Sequence, residues 1–463
     1  MNNIKLNKKI IILIFISFFI SLIFSVYFTY KYDRYESDSF THSMVKGDAH
    51  PIWIKADILK KDLVSGKDYL LSGSELLRSY LPERIVAFFS IIFNYELFLE
   101  NSDKVRLDIK KIYYLIFQSL LYFIVIFYLI KKVQNFLDSD STFYCGLFLC
   151  LCPSIIFFHS SFHTESIFFS LQILLLFFIM NPSSKILINI FYGLLIGFLF
   201  LQKTVALYYI FIIVFFFILN FKIKFFKPIF FLLIGYVIVL LFVGLGNFKR
   251  MGVFYIEPTQ AHSAVLWYTS DHILSKGMNI SIEKAKYKIK NDQDNWIKEK
   301  KLNLEKEEDR LLFGKFQKKY ALDLILEYPI ISSKLIIWKS IQTAMLNPFF
   351  VPSYFYWEQI KDKKYYLTKN YKKIWWPINI FYSLFLYFFI FIGFINSFRI
   401  ISVKLNFLLF FSGMYMFLML GWVGHDRYML PSLIYFSVYF GIGVMAIKKF
   451  LRKRNLIFFL NKY

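Results

Sequence analysis

The sequence predicts an all-α polytopic membrane protein, a bundle of about ten transmembrane helices, and three observations carry that prediction. First, 57% of the 463 residues are hydrophobic, with 59 Phe and 33 Tyr, and mean hydropathy is +0.51. Disordered chains, collagen and disulfide scaffolds do not have this composition. Second, apolar runs of about 18–20 residues recur from end to end, each long enough to cross a bilayer. Third, the net charge of +24 is unevenly placed. Short connections and the tail carry Lys131, Lys132, Lys185, Lys222, Lys224, Lys227, Lys448, Lys449, Arg452, Lys453 and Arg454, against only Asp138 and Asp140. Residues 31–84 instead balance basic and acidic residues evenly. This positive-inside asymmetry assigns the charge to orientation and not to nucleic acid.

Taken in chain order, a basic stub with Lys5, Lys8 and Lys9 precedes an apolar run over 10–28 that has no small-residue cleavage site. It reads as an uncleaved signal anchor and the first span, leaving the cytoplasm. Residues 31–111 form a first outer segment. The run 85–99 inside it is short for a span and flanked by charge, so an interfacial or re-entrant helix is expected. Span two, 112–130, stops at Lys131-Lys132. Spans three and four, 142–158 and 164–180, make an outer hairpin around His159–His163. Spans five and six, 186–201 and 204–221, turn outside at Gln202-Lys203, and span seven, 228–246, opens a second outer segment over 247–375. The charged stretch Ile282–Lys319 cannot sit in lipid. If 330–346 spanned, the last helices would invert and the basic tail would face outside, so it is expected to be membrane-peripheral. Spans 376–397, 405–422 and 429–447 complete one membrane domain over 1–463, with both termini cytoplasmic. Cys145, Cys150 and Cys152 share one apolar span and read as small buried hydrophobes.

Two outer segments over a helical bundle place any chemistry at the outer face of a plasma (inner) membrane, where an activated substrate must arrive on a lipid. Three groups of residues stand there. Asp48 follows the first span and is succeeded by Ile52-Trp53 and Ala56; a carboxylate at the mouth of a bundle is placed to act as a general base. Glu165 lies in Thr164-Glu165-Ser166-Ile167-Phe168, after Pro153-Ser154, at the lip of a span, where an ionisable group must face a cavity or water. Gly424-His425-Asp426-Arg427-Tyr428-Met429-Leu430-Pro431 opens the last span, and an Arg there can fork onto a phosphate.

These motifs resemble the GT-C superfamily of integral-membrane glycosyltransferases. The Asp after the first span resembles the family's base, although the adjacent Glu often found there is Ala49 in this chain. The Pro153 to Phe168 stretch is similar to the Ser/Thr-Glu-Ser-Leu-Phe region of the GPI-anchor second mannosyltransferase branch. Arg427-Tyr428-Met429-Leu430-Pro431 is similar to the Arg-Tyr-x-Leu-Pro signature near the C-terminal end. The resemblance implies an inverting transfer of a sugar, mannose or another hexose, from polyprenyl phosphate to a hydroxyl on a glycan, lipid or protein acceptor. It assigns Asp48 and Glu165 as catalytic, and Lys203, His425, Arg427 and Tyr428 to the lipid phosphate and substrate. Membrane lipids are the expected surroundings and nucleic acid is not a partner.

Other readings compete with it. An O-antigen-type polymerase or ligase also has many helices and a large outer loop, but needs no carboxylate after its first span. A transporter or flippase places ionisable residues near mid-membrane, whereas these spans are nearly free of charge. Asp138-Ser139-Asp140 and Asp292-Gln293-Asp294 match the Asp-x-Asp pattern without a nucleotide-binding fold around them. Asp48, His50, His159, His163 and Asp426 offer donors for a divalent metal, with no diagnostic spacing, so metal dependence stays open.

Overall fold

The computed structural model describes residues 8–34, 49–66, 80–95, 109–160, 165–257, 266–304, 306–345, 364–421 and 429–453, and among these every regular element is helical. The first helix, α1 (Lys8–Arg34), explains the class by its pattern. Ser17, Ser21 and Ser25 recur every fourth residue and are fully buried, while Ile12, Phe15, Phe19 and Ile23 point outward. A helix that turns hydroxyls inward and large apolar groups outward is inverted relative to a soluble one; its favourable solvent is lipid.

Two helices of the first outer segment follow, α2 (Ala49–Val64) and α3 (Tyr80–Ile92). They pack together, and Lys60 Nζ donates to the Tyr95 carbonyl at 2.8 Å. The short helix expected over 85–99 thus begins and ends earlier, stopping where Asn94 takes a left-handed φ of 44°. Ile52, Ala56 and Leu59 form the buried face of α2, the amphipathic spacing seen after Asp48.

Next come α4 (Ile112–Val133) and the bent pair α5 (Ser139–Leu151) and α6 (Pro153–Ser160). The Asp138 side chain caps α5 by accepting from the Ser141 N–H at 2.7 Å. Pro153 has no N–H to continue the ladder, and the two arms meet at 48°. α7 (Glu165–Ile179) and α8 (Ile186–Gln202) form an antiparallel hairpin, followed by a short 3-10 turn, Thr204–Tyr208. α9 (Tyr209–Phe221) and α10 (Phe226–Met251) come next. α8 and α10 touch backbone to backbone: a Cβ added at Gly193 would land on the Leu232 carbonyl, and one at Gly235 on that of Ile190.

A compact unit outside the bundle contains α11 (Asp271–Gly277), α12 (Ile282–Lys300), α13 (Glu307–Glu327) and α14 (Pro329–Ala344). Its small core is Leu266, Ile273, Leu274, Ala285, Ile289, Ala321, Leu324 and Leu335. Trp296 stacks on Phe316 at 4.4 Å between α12 and α13. The chain ends with α15 (Lys364–Ile400), α16 (Val403–Gly421) and α17 (Leu430–Lys453). α17 is the axis of the bundle, packed by α15, α16 and α5. Gly393 of α15 and Gly443 of α17 sit against the carbonyls of Tyr439 and Phe389.

Among the described residues, five stretches are long and apolar enough to cross a membrane: Lys8–Val26, Ile112–Val133, Thr204–Lys249, Pro377–Ile400 and Leu430–Lys453. The bent pair α5–α6 makes a sixth, and Glu165–Ile179, Ile186–Gln202 and Val403–Met419 are apolar but shorter.

Candidate active site at one end of the bundle

The α7–α8 hairpin brings its two ends to the same level, and there Lys203 Nζ donates to Glu165 Oε1 at 2.8 Å. Glu165 occupies the first turn of α7, where the helix dipole favours a negative charge. Lys203 is the extended residue that ends α8, and its ammonium also lies 5.7 Å over the Phe168 ring. Both side chains are largely buried. A carboxylate in such a place requires a counter-charge, and the contact fixes where the Lys203 ammonium points.

The lysine end is fixed from two sides. Tyr236 of α10 donates its hydroxyl to the Leu207 carbonyl at 2.6 Å, and Tyr415 of α16 donates to that of Val205 at 2.5 Å. Tyr209, at the head of α9, donates to Ser412 at 2.8 Å and meets the Tyr435 hydroxyl at 2.9 Å. Backbone carbonyls freed by the 3-10 turn are thereby satisfied inside an apolar bundle.

The glutamate end is fixed by α4 and α6. Ser166, next to Glu165, meets His159 Nδ1 at 2.5 Å. The His159 ring stacks on Tyr122 at 3.5 Å, and its carbonyl accepts from Gln118 Nε2 at 2.7 Å and from Ser119 Oγ at 3.1 Å. Ser160 donates to the Ser21 carbonyl at 3.0 Å, which ties α6 to α1. A polar seam therefore runs from Glu165 into the bundle through α7, α6, α4 and α1. The sequence reading did not single out Gln118, Ser119, Tyr122 or the serines of α1. Two signals were there: an amide in an otherwise apolar span, and Ser17, Ser21 and Ser25 at helical spacing.

Of the residues expected at the site, the structure joins Glu165 and Lys203. Asp48, His425, Asp426, Arg427, Tyr428 and His163 lie outside the described residues. Among the described residues there is no group of three His, Cys, Asp or Glu that could hold a metal ion. The Asp-x-Asp pairs have other occupations. Asp138 and Asp140 meet Lys449 at 3.4 Å and Lys448 at 3.2 Å, at the opposite end of the bundle. Asp292 accepts the Tyr320 hydroxyl at 2.7 Å.

No family model matches the chain, and no curated protein matches it. The solved structures to which the chain is similar include three of the oligosaccharyltransferase of Archaeoglobus fulgidus. The first is the archaeal oligosaccharyltransferase AglB in complex with an inhibitory peptide and a dolichol-phosphate, at TM-score 0.43 and 12% identity, covering 95% of this chain and 51% of that one. The second is the complex with Zn and sulfate, at TM-score 0.42 and 10% identity, over 94% and 50%. The third is the apo form, at TM-score 0.45 and 10% identity, over 95% and 51%. The chain spans about half the length of these proteins. TM-scores below 0.5 do not define a shared fold, so what the site does rests on its own residues.

Proposed function

We propose that this chain is a membrane glycosyltransferase that moves a sugar, mannose or another hexose, from polyprenyl phosphate to an acceptor hydroxyl at the outer face of the plasma membrane, with inversion. One observation carries the reading: Glu165 and Lys203, singled out separately in the sequence, form a buried ion pair at one end of an apolar bundle. A buried lysine that is oriented by a carboxylate and held by a rigid turn is suited to an anionic head group that enters from lipid. On this reading Asp48 takes the proton of the acceptor hydroxyl, and Glu165 holds Lys203 in place. Lys203 and Arg427 contact the lipid phosphate, with His425 and Tyr428 beside them.

The topology that goes with it has ten spans and both termini cytoplasmic. Residues 31–111 and 247–375 are the outer segments of a single membrane domain. The donor is a lipid-linked sugar, and the acceptor is a glycan, lipid or protein. The test is a proteoliposome assay with a radiolabelled polyprenyl-phosphate sugar supplied to the outer face. Label in an acceptor fraction is the expected outcome. Movement of the intact lipid across the membrane without transfer would sink the reading in favour of a transporter.

A further inference from the structure

α14 is built inside out. Ile330, Ile337, Trp338 and Ile341, at helical spacing along one face, are 70%, 61%, 52% and 44% exposed, while Ser332, Leu335 and Thr343 are buried against the protein. In water this arrangement would waste most of the apolar surface the helix has to bury. Leu322 and Leu326 of the preceding helix α13 are exposed as well.

The position of the helix gives its surroundings. α14 packs on α16, and at its far end the Ala344 carbonyl accepts the hydroxyl of Tyr387 at 2.7 Å. Tyr387 lies on α15 within the apolar stretch Pro377–Ile400, about 15 Å along the helix from Pro377 and about 20 Å from Ile400. The end of α14 therefore reaches into the part of the bundle that hydrocarbon surrounds. Within that stretch, Phe381, Leu384, Phe388 and Phe391 of α15 face outward. Pro329, at the other end, follows the charged α13 directly. The helix has 16 residues, about 24 Å, which is short of a full crossing. Its charges suit an oblique entry. Lys334 lies one turn from the start, close enough for its stem to snorkel to the surface. Lys339 is half-buried, and its Cβ bond tilts back toward the N-terminus.

The geometry points to α14 as a re-entrant helix, its Ile330–Ile341 face covered by the acyl chains of the leaflet into which Pro377 opens. It fastens the outer helical unit to the bilayer. The lipid surface is the partner because the end of this face is tied at Ala344 to Tyr387, midway along the apolar stretch Pro377–Ile400.

The inference rests on the reading that the chain spans a membrane, and the experiment separates the two. In the full chain in lipid nanodiscs, spin labels at Ile330→Cys, Ile337→Cys and Ile341→Cys are compared with Phe388→Cys on α15 and Lys298→Cys on α12, and the unsubstituted chain reports any background from the three buried native cysteines. Collision with oxygen reports lipid, and collision with a water-soluble nickel chelate reports water. The expected result is oxygen preference at 337 and 341, depth that increases from 330 to 341, and nickel preference at 298. Nickel preference at 337 and 341 would place the face in water, and low access to both would place a protein there; either overturns the inference. Oxygen preference at equal depth from 330 to 341 overturns it too, because the helix would then lie flat. Loss of oxygen preference at 388 would instead strike the membrane reading itself.

Discussion

At one end of the bundle Lys203 donates to Glu165, with only 15% and 4% of the two side chains exposed. At the other end Lys448 and Lys449 reach Asp140 and Asp138 at distances of 3.2 and 3.4 Å, with side chains between 29% and 67% exposed. The chemistry of the pairs is the same and their surroundings are not. The exposed pairs gain a small Coulomb energy in high dielectric and lose part of it to side-chain entropy and salt. The buried pair has given up two hydration shells, a desolvation cost that its mutual attraction must offset. Burial is thus what separates the pair at the proposed site from the pairs at the opposite end.

The largest expected effect comes from breaking the buried pair on one side. Lys203→Met removes the counter-charge from the buried Glu165, and should destabilise the fold by about 3–5 kcal/mol. Adding Glu165→Gln should restore most of that. Thermal unfolding in detergent measures both, and an unchanged midpoint in the single variant would mean that water reaches the pair.

Next is the test of whether the buried end is the chemical one. Asp48→Asn keeps the shape of the side chain but cannot accept the proton, and turnover should fall at least about a hundredfold with donor binding near normal. Asp38→Asn should be mild by comparison. Full activity in Asp48→Asn with a dead Glu165→Gln would move the base from Asp48 to Glu165. A slightly smaller effect is expected at Arg427. Its replacement by Ala should weaken donor binding by about 2–3 kcal/mol, and Lys should lose less, since it keeps the charge without the fork. Equal affinity in all three proteins would reduce Arg427 to an interfacial anchor.

The smallest effect belongs to the exposed end. Lys449→Ala should change stability by less than about 1 kcal/mol. Burial raises the Asp138 carboxyl, but hydrogen bonds from the Ser141 backbone and hydroxyl and from Lys449 outweigh it, so the group sits below its ordinary value. A depressed carboxyl contributes stability above the unfolded value, near about 4, and loses it as pH falls through the folded value. Unfolding midpoints of the native chain and Asp138→Asn should therefore converge as pH drops below about 4. A gap that persists at low pH would tie Asp138 to its capping bond alone.

Much of this was legible in the sequence, in one dimension. Apolar runs and lysine clusters located Ile112–Val133, Glu165–Ile179 and Ile186–Gln202 to within three residues, whereas the run read over 85–99 is the helix Tyr80–Ile92 and the span read from 376 lies in a helix that starts at Lys364; the Ile52 and Ala56 spacing after Asp48 reappears as the buried face of α2. Glu165 and Lys203 were each marked by standing charged at the lip of a span. Their pairing was not legible, because it depends on two helices of unequal length closing at the same level. The sequence reads 142–158 as one unbroken span, whereas the chain bends by 48° at Pro153, and the contact of the His159 ring with Tyr122 depends on that angle as well as on the residue. In α14 the apolar run was plain, but periodicity alone could not say which face turns outward.

The glycine contact between α8 and α10 has a mechanical consequence for the lysine. Gly193 lies about 15 Å along α8 from Lys203, and there the two helix backbones press together without a side chain between them. A helix clamped at that point carries the ammonium on the arm beyond the contact, where Gly197 also lies against Val239. Thermal wobble at the tip is limited by the fulcrum, and Tyr236, on the clamping helix itself, reaches up to steady the tip a second time. A single methyl at Gly193 would wedge the joint open and swing the charge out of line with Glu165, a disturbance felt at the site from three helical turns away.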